Sequence, residues 1–297
     1  MKTRREVLMS ALAATAALPK GVCDCHTHIF GEESRFPFAP VRGYTPPPAT
    51  PVEMRALHEA MGVERVVIVT PSVYGTDNAA TLWGMKERGR SARGIAVIDE
   101  RTSARDLSAM DRAGVRGIRV NLTNAGIADP AVTRERFSAA IARLRSMRGW
   151  HLQLNVGLGV LAALKPLVLE SPVPVVFDHM CGASAARGVA DQAGMADLLE
   201  MLRSGKAYVK VTNRFLSTTR VAEAPLVGEV LRANAERVLW GTDWPHPDPA
   251  PGKKPTEVSP FTRLDDAGML ARLVQNVPDE RMRRGVLVEN PARLYGF

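Results

Sequence analysis

The stretch VCDCHTHIF, residues 22–30, contains most of the side-chain types that do chemistry within a very short length. Two cysteines, an aspartate and two histidines occupy nine positions. Three kinds of site use such residues at this spacing: a cysteine–histidine metal site, a disulfide, or the first strand of an active site. The direction of each side chain, and the elements that follow, distinguish among them.

The cysteines do not indicate a disulfide framework. The chain has three of them, Cys23, Cys25 and Cys181, which is a sparse and odd set. Two residues that are two apart on one extended strand point to the same side, with poor geometry for a bridge. We therefore predict that the cysteines are small buried packing groups.

The composition of the whole chain is that of a globular protein. It has 297 residues and a formal net charge of +8. The basic residues are spread over amphipathic helical stretches such as residues 134–148, without interleaved aromatic residues. We therefore predict no nucleic-acid partner, whereas an acidic small-molecule substrate is compatible with the charge.

The first twenty residues, MKTRREVLMSALAATAALPK, have a different pattern. A basic start with Arg4 and Arg5 precedes an Ala/Leu-rich stretch, and residues 14–16 are a candidate cleavage site. The pattern resembles a twin-arginine export signal and predicts a periplasmic protein, with a cytoplasmic protein that has a frayed N-terminal helix as the alternative. The apolar run is too short to cross a membrane as a helix. We assign residues 1–20 to a signal segment and residues 21–297 to the folded domain.

From residue 22 onward, short β-branched runs alternate with helical patterns, several of which end at a glycine. The predicted strands are residues 22–29, 65–71, 93–99, 115–122, 151–156, 173–180, 208–214 and 237–243. Eight strand–helix units in one chain of this length predict an α/β protein with a single (β/α)8 TIM barrel.

Polar and apolar residues alternate within these strands. The polar set should face the barrel interior, because charged groups against the helix layer would be costly without partners. On strands four, five and seven that set includes Arg119, Asn121, Gln153, Lys210 and Arg214. The same alternation on strand one predicts that Asp24, His26 and His28 face inward and that the two cysteines face outward.

Four candidate catalytic residues fall at the carboxyl ends of strands, the face on which barrels of this kind place their active sites. They are His26 and His28 after strand one, His179 on strand six and Asp243 on strand eight. Other histidines have simpler interpretations. His58 is predicted to be on a helix surface, and His246 either to order the loop after Asp243 or to support the site from behind the residues that contact substrate.

The ordered motifs HTH (26–28), DHM (178–180), WGTDWPH (240–246) and NPARLYGF (290–297) resemble the amidohydrolase superfamily, in its amidohydrolase-2 branch. The stretches RFPFAPVRGYTP, YGTDNAATL and GIRVNL are most similar to its lactonase group, typified by 2-pyrone-4,6-dicarboxylate and sugar-acid lactonases. The resemblance implies that water opens a lactone ring. Asp243 would be the general base, and His26, His28 and His179 would polarise the carbonyl.

Ligand chemistry and resemblance point in different directions on metal. Three histidines and an aspartate, His26, His28, His179 and Asp243, suit one zinc ion. The resemblance implies that the lactonase group needs no ion. Strand four ends in Arg119 and Asn121 rather than in a bridging lysine or glutamate, so two metals are not expected. The prediction is therefore no required cofactor, or one Zn²⁺ held by those four residues.

Substrate recognition is predicted to involve Arg119 and Arg214, whose forked guanidinium groups suit a carboxylate. The alternative is an internal ion pair with Asp24 or Asp178. Three further residues are predicted either to hydrogen-bond the substrate or to be satisfied polar groups of loop and core: Asn121, Tyr74 and Tyr44.

Two positions depart from the pyrone-dicarboxylate pattern. The resemblance implies basic residues after the strand-four arginine and after the DHM histidine, where this chain has Asn124-Ala125 and Gly182-Ala183. A substrate with two carboxylates would lose much of its binding. We therefore predict a sugar-acid or monocarboxylate lactone.

Two other functions remain open. Zinc-dependent decarboxylases belong to the same branch, but the resemblance implies glutamate or alanine where this chain has Asp24. The second alternative is a barrel without catalytic activity that binds a carboxylate. The presence of both His179 and Asp243 argues against it.

Overall fold

The structure, a computed structural model, describes residues 18–184, 187–189, 191–212, 224–277 and 279–297. Most of the predicted signal segment, residues 1–17, lies outside these ranges. So does Arg214, one of the two arginines predicted to bind substrate.

Eight parallel strands pair in chain order around a barrel, which confirms the predicted single-domain (β/α)8 fold. The strands are β1 (Cys23–Thr27), β2 (Arg65–Val69), β3 (Ala92–Ala96), β4 (Val115–Asn121), β5 (His151–Asn155), β6 (Val175–Phe177), β7 (Ala207–Thr212) and β8 (Val238–Gly241). The barrel closes just beyond β8. There the Asp243 amide donates to the His26 carbonyl at 2.8 Å, and the His28 amide donates to the Trp244 carbonyl at 2.8 Å.

The helices follow the strands and form the outer layer. They are α1 (Pro51–Met61), α2 (Ala79–Arg88), α3 (Ala104–Ala113), α4 (Pro130–Leu144), α5 (Leu161–Leu169), α6 (Met195–Arg203), α7 (Ala224–Asn234), α8 (Asp266–Asn276), α9 (Glu280–Arg284) and α10 (Asn290–Tyr295). Local sequence sets their ends: α1 begins with a capping box between Thr50 and Glu53 and ends at Gly62, whose φ is 72°. Within the described ranges, no helix has both the length and the apolarity needed to cross a bilayer.

Side-chain direction on β5 and β7 follows the predicted alternation. Leu152 and Leu154 pack in the large apolar core shared with the helices, as do Val209 and Val211. Lys210, between the two valines, is fully buried and faces the interior. Burying an ammonium group requires partners, and those partners lie beneath the candidate site.

Strand β1 differs from the prediction. Cys23 and Cys25 belong to the cluster inside the barrel, together with Val67 and Tyr295. Asp24 faces the helix layer, where its Oδ2 lies 3.2 Å from Nε2 of His58 on α1. The prediction that Asp24 faces inward and the cysteines outward is therefore wrong.

A break in the register of β1 explains the difference. Asp24 pairs with Val66 and Thr27 with Ile68, so three steps on β1 match two on β2. The extra residue is a β-bulge, which changes the parity of the strand between its two ends. Cys25 and His26 consequently both face the interior, one below the other.

Aromatic residues at the end of the chain form the floor of the barrel. Tyr295 is fully buried among the interior side chains of β1, β2 and β8. The ring of Phe297 lies 4.6 Å from the Arg93 guanidinium and 5.4 Å from that of Arg65. The Arg93 Nε donates to the Tyr295 carbonyl at 3.1 Å. These contacts hold the last residues against the amino-terminal ends of the strands.

Candidate active site

A pocket opens at the carboxyl ends of the strands, where the sequence predicted the active site. Its walls include His28, His179 and Asp243, together with Arg119 and Tyr44. These residues come from the ends of β1, β4, β6 and β8 and from the long loop after β1. The architecture therefore brings together side chains that are up to 215 residues apart.

Two histidines at the end of β1 converge on one carboxylate. Nε2 of His28 lies 3.4 Å from Oδ1 of Asp243, and Nε2 of His26 lies 3.6 Å from the same oxygen. The His26 and His179 rings are 4.7 Å apart between centroids. All four residues predicted to be catalytic thus lie in one group.

Hydrogen bonds from the barrel wall orient two of the rings. Nδ1 of His28 lies 2.7 Å from the Val69 carbonyl, which can only accept, so this nitrogen carries a proton. Nδ1 of His179 lies 2.8 Å from the Thr212 hydroxyl. In both residues the other ring nitrogen, Nε2, points toward the pocket.

Backbone strain marks the same residues. Asp243 has a φ of 64°, and the turn after β6 has three successive left-handed residues, His179, Met180 and Cys181, with φ of 52°, 48° and 54°. L-residues other than glycine seldom adopt this conformation, and it persists where the surrounding structure enforces it. The strain here coincides with the two strand ends that supply His179 and Asp243.

Neighbouring histidines keep Asp243 ionised in spite of its burial. Burial alone would raise the pKa of its carboxyl group, but the neighbouring His179, His28 and His26 outweigh that effect and hold the pKa below its usual range. Asp243 is therefore ionised, which is the form that a general base requires.

A second buried carboxylate, Asp178, lies beneath the histidines. Arg119 donates to it from Nε at 2.9 Å and Gln153 from Nε2 at 3.1 Å. Burial would raise the pKa of Asp178, yet His26, Arg119 and Lys210 together lower it well below its usual value. Of the two roles considered for Arg119, the internal ion pair with Asp178 is observed, and Arg119 also lines the pocket.

The other predicted substrate-binding residues occupy different places. Tyr44 lines the pocket, and Asn121 lines the adjoining part of the same mouth. The Asn121 Oδ1 accepts from Nδ2 of Asn155 at 3.0 Å. The Tyr74 hydroxyl accepts from the Gly31 amide at 3.1 Å, and its ring stacks on Phe38 at 5.3 Å between centroids. Their roles toward a substrate remain predictions.

Comparison with known proteins identifies the family. The family model described as Amidohydrolase, in its second branch, matches residues 23–297. The chain belongs to the amidohydrolase-2 family.

Relatives of this amidohydrolase act on lactones, according to their names. The chain is 31% identical over 293 residues to the 2-pyrone-4,6-dicarboxylate hydrolase of Comamonas testosteroni, covering 94% of this chain and 91% of the relative. It is 29% identical to the 4-sulfomuconolactone hydrolase of Rhizobium radiobacter, with 94% and 91% covered. It is also 29% identical to the D-galactarolactone isomerase of Agrobacterium fabrum, with 97% and 95% covered.

A solved structure shows the same architecture. The apo crystal structure of ATU3138 from Agrobacterium tumefaciens superposes with a TM-score of 0.76 at 25% identity, covering 95% of this amidohydrolase and 97% of that chain.

One zinc ion would require at least three protein ligand atoms of this amidohydrolase within reach of one another. Two groups have ligand atoms close enough to share an ion, His26–His28–Asp243 and His26–Asp178–His179, and both include His26. A ligating histidine donates its other ring N–H to an acceptor. His28 does so. Nδ1 of His26 lies between Oδ1 of Asp178 at 3.3 Å and Nζ of Lys210 at 3.4 Å, and of these two contacts the one with the lysine, a donor, has hydrogen-bond geometry. The set therefore does not fit a zinc ion held through His26.

Several residues of the site were missed by sequence reasoning or assigned elsewhere. His58, predicted to be on the surface, is fully buried against Asp24, so that prediction is wrong. Lys210 and Gln153 were recognised only as inward-facing. The signal that could have identified Lys210 is a lysine between two valines on a predicted barrel strand. A charge that faces the barrel interior needs charged or hydrogen-bonding partners there.

Proposed function

We propose that this amidohydrolase is a hydrolase that opens the ring of a carboxylate-bearing or sugar-acid lactone. The observation that supports this most is the convergence of His26 and His28 on the Asp243 carboxylate at 3.6 and 3.4 Å, beside an arginine that lines the same pocket. The activities named for the relatives support the same reaction class.

The proposed reaction needs only the side chains of this chain. Asp243 accepts a proton from water as the water oxygen bonds to the lactone carbonyl carbon. The carbonyl oxygen becomes an oxyanion, which accepts hydrogen bonds from the histidines. The ring C–O bond then breaks, and the proton passes to the departing alkoxide, which leaves a hydroxy acid.

The polar groups around the pocket favour a substrate with one carboxylate and several hydroxyls. Arg119 is the cationic side chain that lines it among the described residues. The neutral groups there are hydroxyls and amides, including Ser72, Thr123, Asn124 and Asn155. Hydroxyls and amides both donate and accept, which matches sugar hydroxyls. The absence of basic residues at Asn124 and Gly182 points away from a dicarboxylate.

A panel of lactones assayed before and after chelation tests this proposal. We expect opening of aldonic or aldaric acid lactones, with kcat/KM for a monocarboxylate lactone at least about tenfold above that for 2-pyrone-4,6-dicarboxylate, a difference of about 1.4 kcal/mol. The rate should survive a chelator. No turnover of any lactone would contradict the proposal. Turnover that is lost on chelation and restored by zinc would favour the metal-dependent alternative, and decarboxylation of an acid substrate would favour the decarboxylase.

For localisation, we propose that residues 1–20 direct export to the periplasm by the twin-arginine route. The support is the pattern of the leader alone, with Arg4 and Arg5 before an Ala/Leu-rich run. In a bacterium with that pathway, the full chain should be recovered from the periplasmic fraction. The R4K/R5K double variant should remain in the cytoplasm. Equal distribution of the two proteins would show that the leader does not act as this signal.

A further inference from the structure

Lys210 is a buried cation to which the proposed reaction gives no role. Its side chain is fully buried in the middle of the barrel, directly beneath His26. An amine in such a place needs acceptors for its N–H groups, because burial removes it from bulk solvent. The identity of those acceptors determines what the amine does to its neighbours.

Two acceptors lie within hydrogen-bond distance of the Lys210 amine, and a third lies slightly farther away. Nζ of Lys210 lies 2.7 Å from Oε1 of Gln153 and 3.4 Å from Nδ1 of His26. The Oδ1 atom of Asp178 is 3.6 Å away, an ion-pair distance. The Gln153 amide cannot be reversed, because its Nε2 donates to Asp178 at 3.1 Å. Gln153 therefore presents its oxygen to Lys210, and Lys210 is the donor.

The same logic applies to His26. Nδ1 of His26 faces two groups with opposite demands, the Lys210 amine at 3.4 Å and Oδ1 of Asp178 at 3.3 Å. Oδ1 of Asp178 makes no hydrogen bond of acceptable geometry with any described residue. The contact between Lys210 and His26 does meet that geometry. This geometry favours Nδ1 of His26 as the acceptor, and burial, which lowers the pKa of His26, favours a neutral ring with its proton on Nε2.

We propose that Lys210 is a positioning residue that holds His26 in the tautomer with its proton on Nε2, so that His26 presents an N–H donor to the substrate carbonyl. The catalytic role of that donor rests on the proposed lactone hydrolysis, whereas the tautomer itself does not. The same contact opposes metal binding, because a protonated Nε2 has no lone pair for an ion. His28 has the opposite arrangement, with Nδ1 protonated by its contact to the Val69 carbonyl.

The tautomer can be read directly in the unmodified protein. In a long-range ¹H–¹⁵N spectrum of uniformly ¹⁵N-labelled protein, the signals of His26 are identified by their loss in His26→Gln. We expect Nε2 of His26 to have the shift of a protonated nitrogen and Nδ1 that of an unprotonated one. The reverse pattern would overturn the proposal, whether or not the protein opens lactones.

Removal of the amine should reverse the tautomer. In Lys210→Met, the group left beside Nδ1 of His26 is the Asp178 carboxylate, which demands a proton there. We expect the ¹⁵N pattern of His26 to invert. Zinc affinity, measured by equilibrium dialysis against zinc alone, should rise about tenfold or more. The kcat for lactone opening should fall about 10²-fold with little change in KM, as for loss of one oxyanion donor.

The matched control is Lys206→Met, which removes an exposed lysine just before β7 whose Nζ donates to the Ser171 carbonyl at 3.2 Å. It should leave the His26 signals, zinc affinity and kcat unchanged. An unaltered His26 pattern in a folded Lys210→Met protein would overturn the proposal. If Lys210→Met does not fold, the spectrum of the unmodified protein still decides. If His26 has the expected tautomer but the protein opens no lactone, this inference holds and the proposed function is wrong.

Discussion

Asp243→Asn should lower kcat for lactone opening by about 10²–10⁴-fold, the range expected for loss of a general base. The amide has the same shape as the carboxyl group but cannot accept the proton of water. The substitution should leave the surrounding structure unchanged. Oδ1 of Asp243 lies within 3.6 Å of His26 and His28, and an amide oxygen can still contact both rings. We expect KM to change little, and steady-state kinetics on the best lactone of the panel would measure both constants.

The control for this variant is Asp197→Asn, on α6. Asp197 forms an ion pair with Lys165 at 2.8 Å in the outer helix layer, and its replacement should leave kcat unchanged. Thermal unfolding should show both variants to be folded. Full activity in Asp243→Asn would mean that another group takes the proton, and the proposed mechanism would be wrong.

Asp24→Ala should lower the free energy of unfolding by about 3–5 kcal/mol, because it leaves several buried donors without an acceptor and each costs about 1–3 kcal/mol. Oδ1 of Asp24 accepts from the amides of His26 at 3.1 Å and Thr242 at 2.9 Å. Its Oδ2 atom contacts the Thr242 hydroxyl and Nε2 of His58. One carboxylate thus joins β1, the end of β8 and α1. Urea denaturation with a fluorescence readout would measure the loss.

The same variant should also impair catalysis, because the amides that Asp24 holds belong to the segments that supply His26 and Asp243. A double-mutant cycle with His58→Gln separates the contributions. If the pair is coupled, Asp24→Ala/His58→Gln should lose less stability than the two single variants added together. A loss below about 1 kcal/mol in Asp24→Ala is the size of one ordinary hydrogen bond. It would show that the Asp24 carboxylate contributes little to closing the barrel.

The sequence predicts a barrel and the positions of its strands well, because each strand depends on a local pattern. Alternation on β5 and β7 was enough to place Gln153 and Lys210 inside. It was not enough on β1, where the bulge between Asp24 and Thr27 depends on pairing with β2. A register shift is a property of two strands, so a pattern in one of them cannot show it.

The candidate site shows the same limit. His26, His28, His179 and Asp243 follow from their places at strand ends. His58 did not, because its burial depends on which face of α1 meets the outward side of β1. The roles of Arg119 and Lys210 depend on Asp178 and Gln153. These partners come from the end of β6 and from β5, neither of which is adjacent to the strand of its partner, so they can be recognised only when the barrel is assembled.

The aromatic floor has a consequence for the order in which the protein is made. Tyr295 fills the interior beneath Cys23 and Cys25, residues that leave the ribosome more than 260 positions earlier. While residues 290–297 are still unsynthesised, all eight strands exist but the barrel lacks its base. The interior of the nascent barrel therefore stays without its floor until residues 290–297 have left the ribosome.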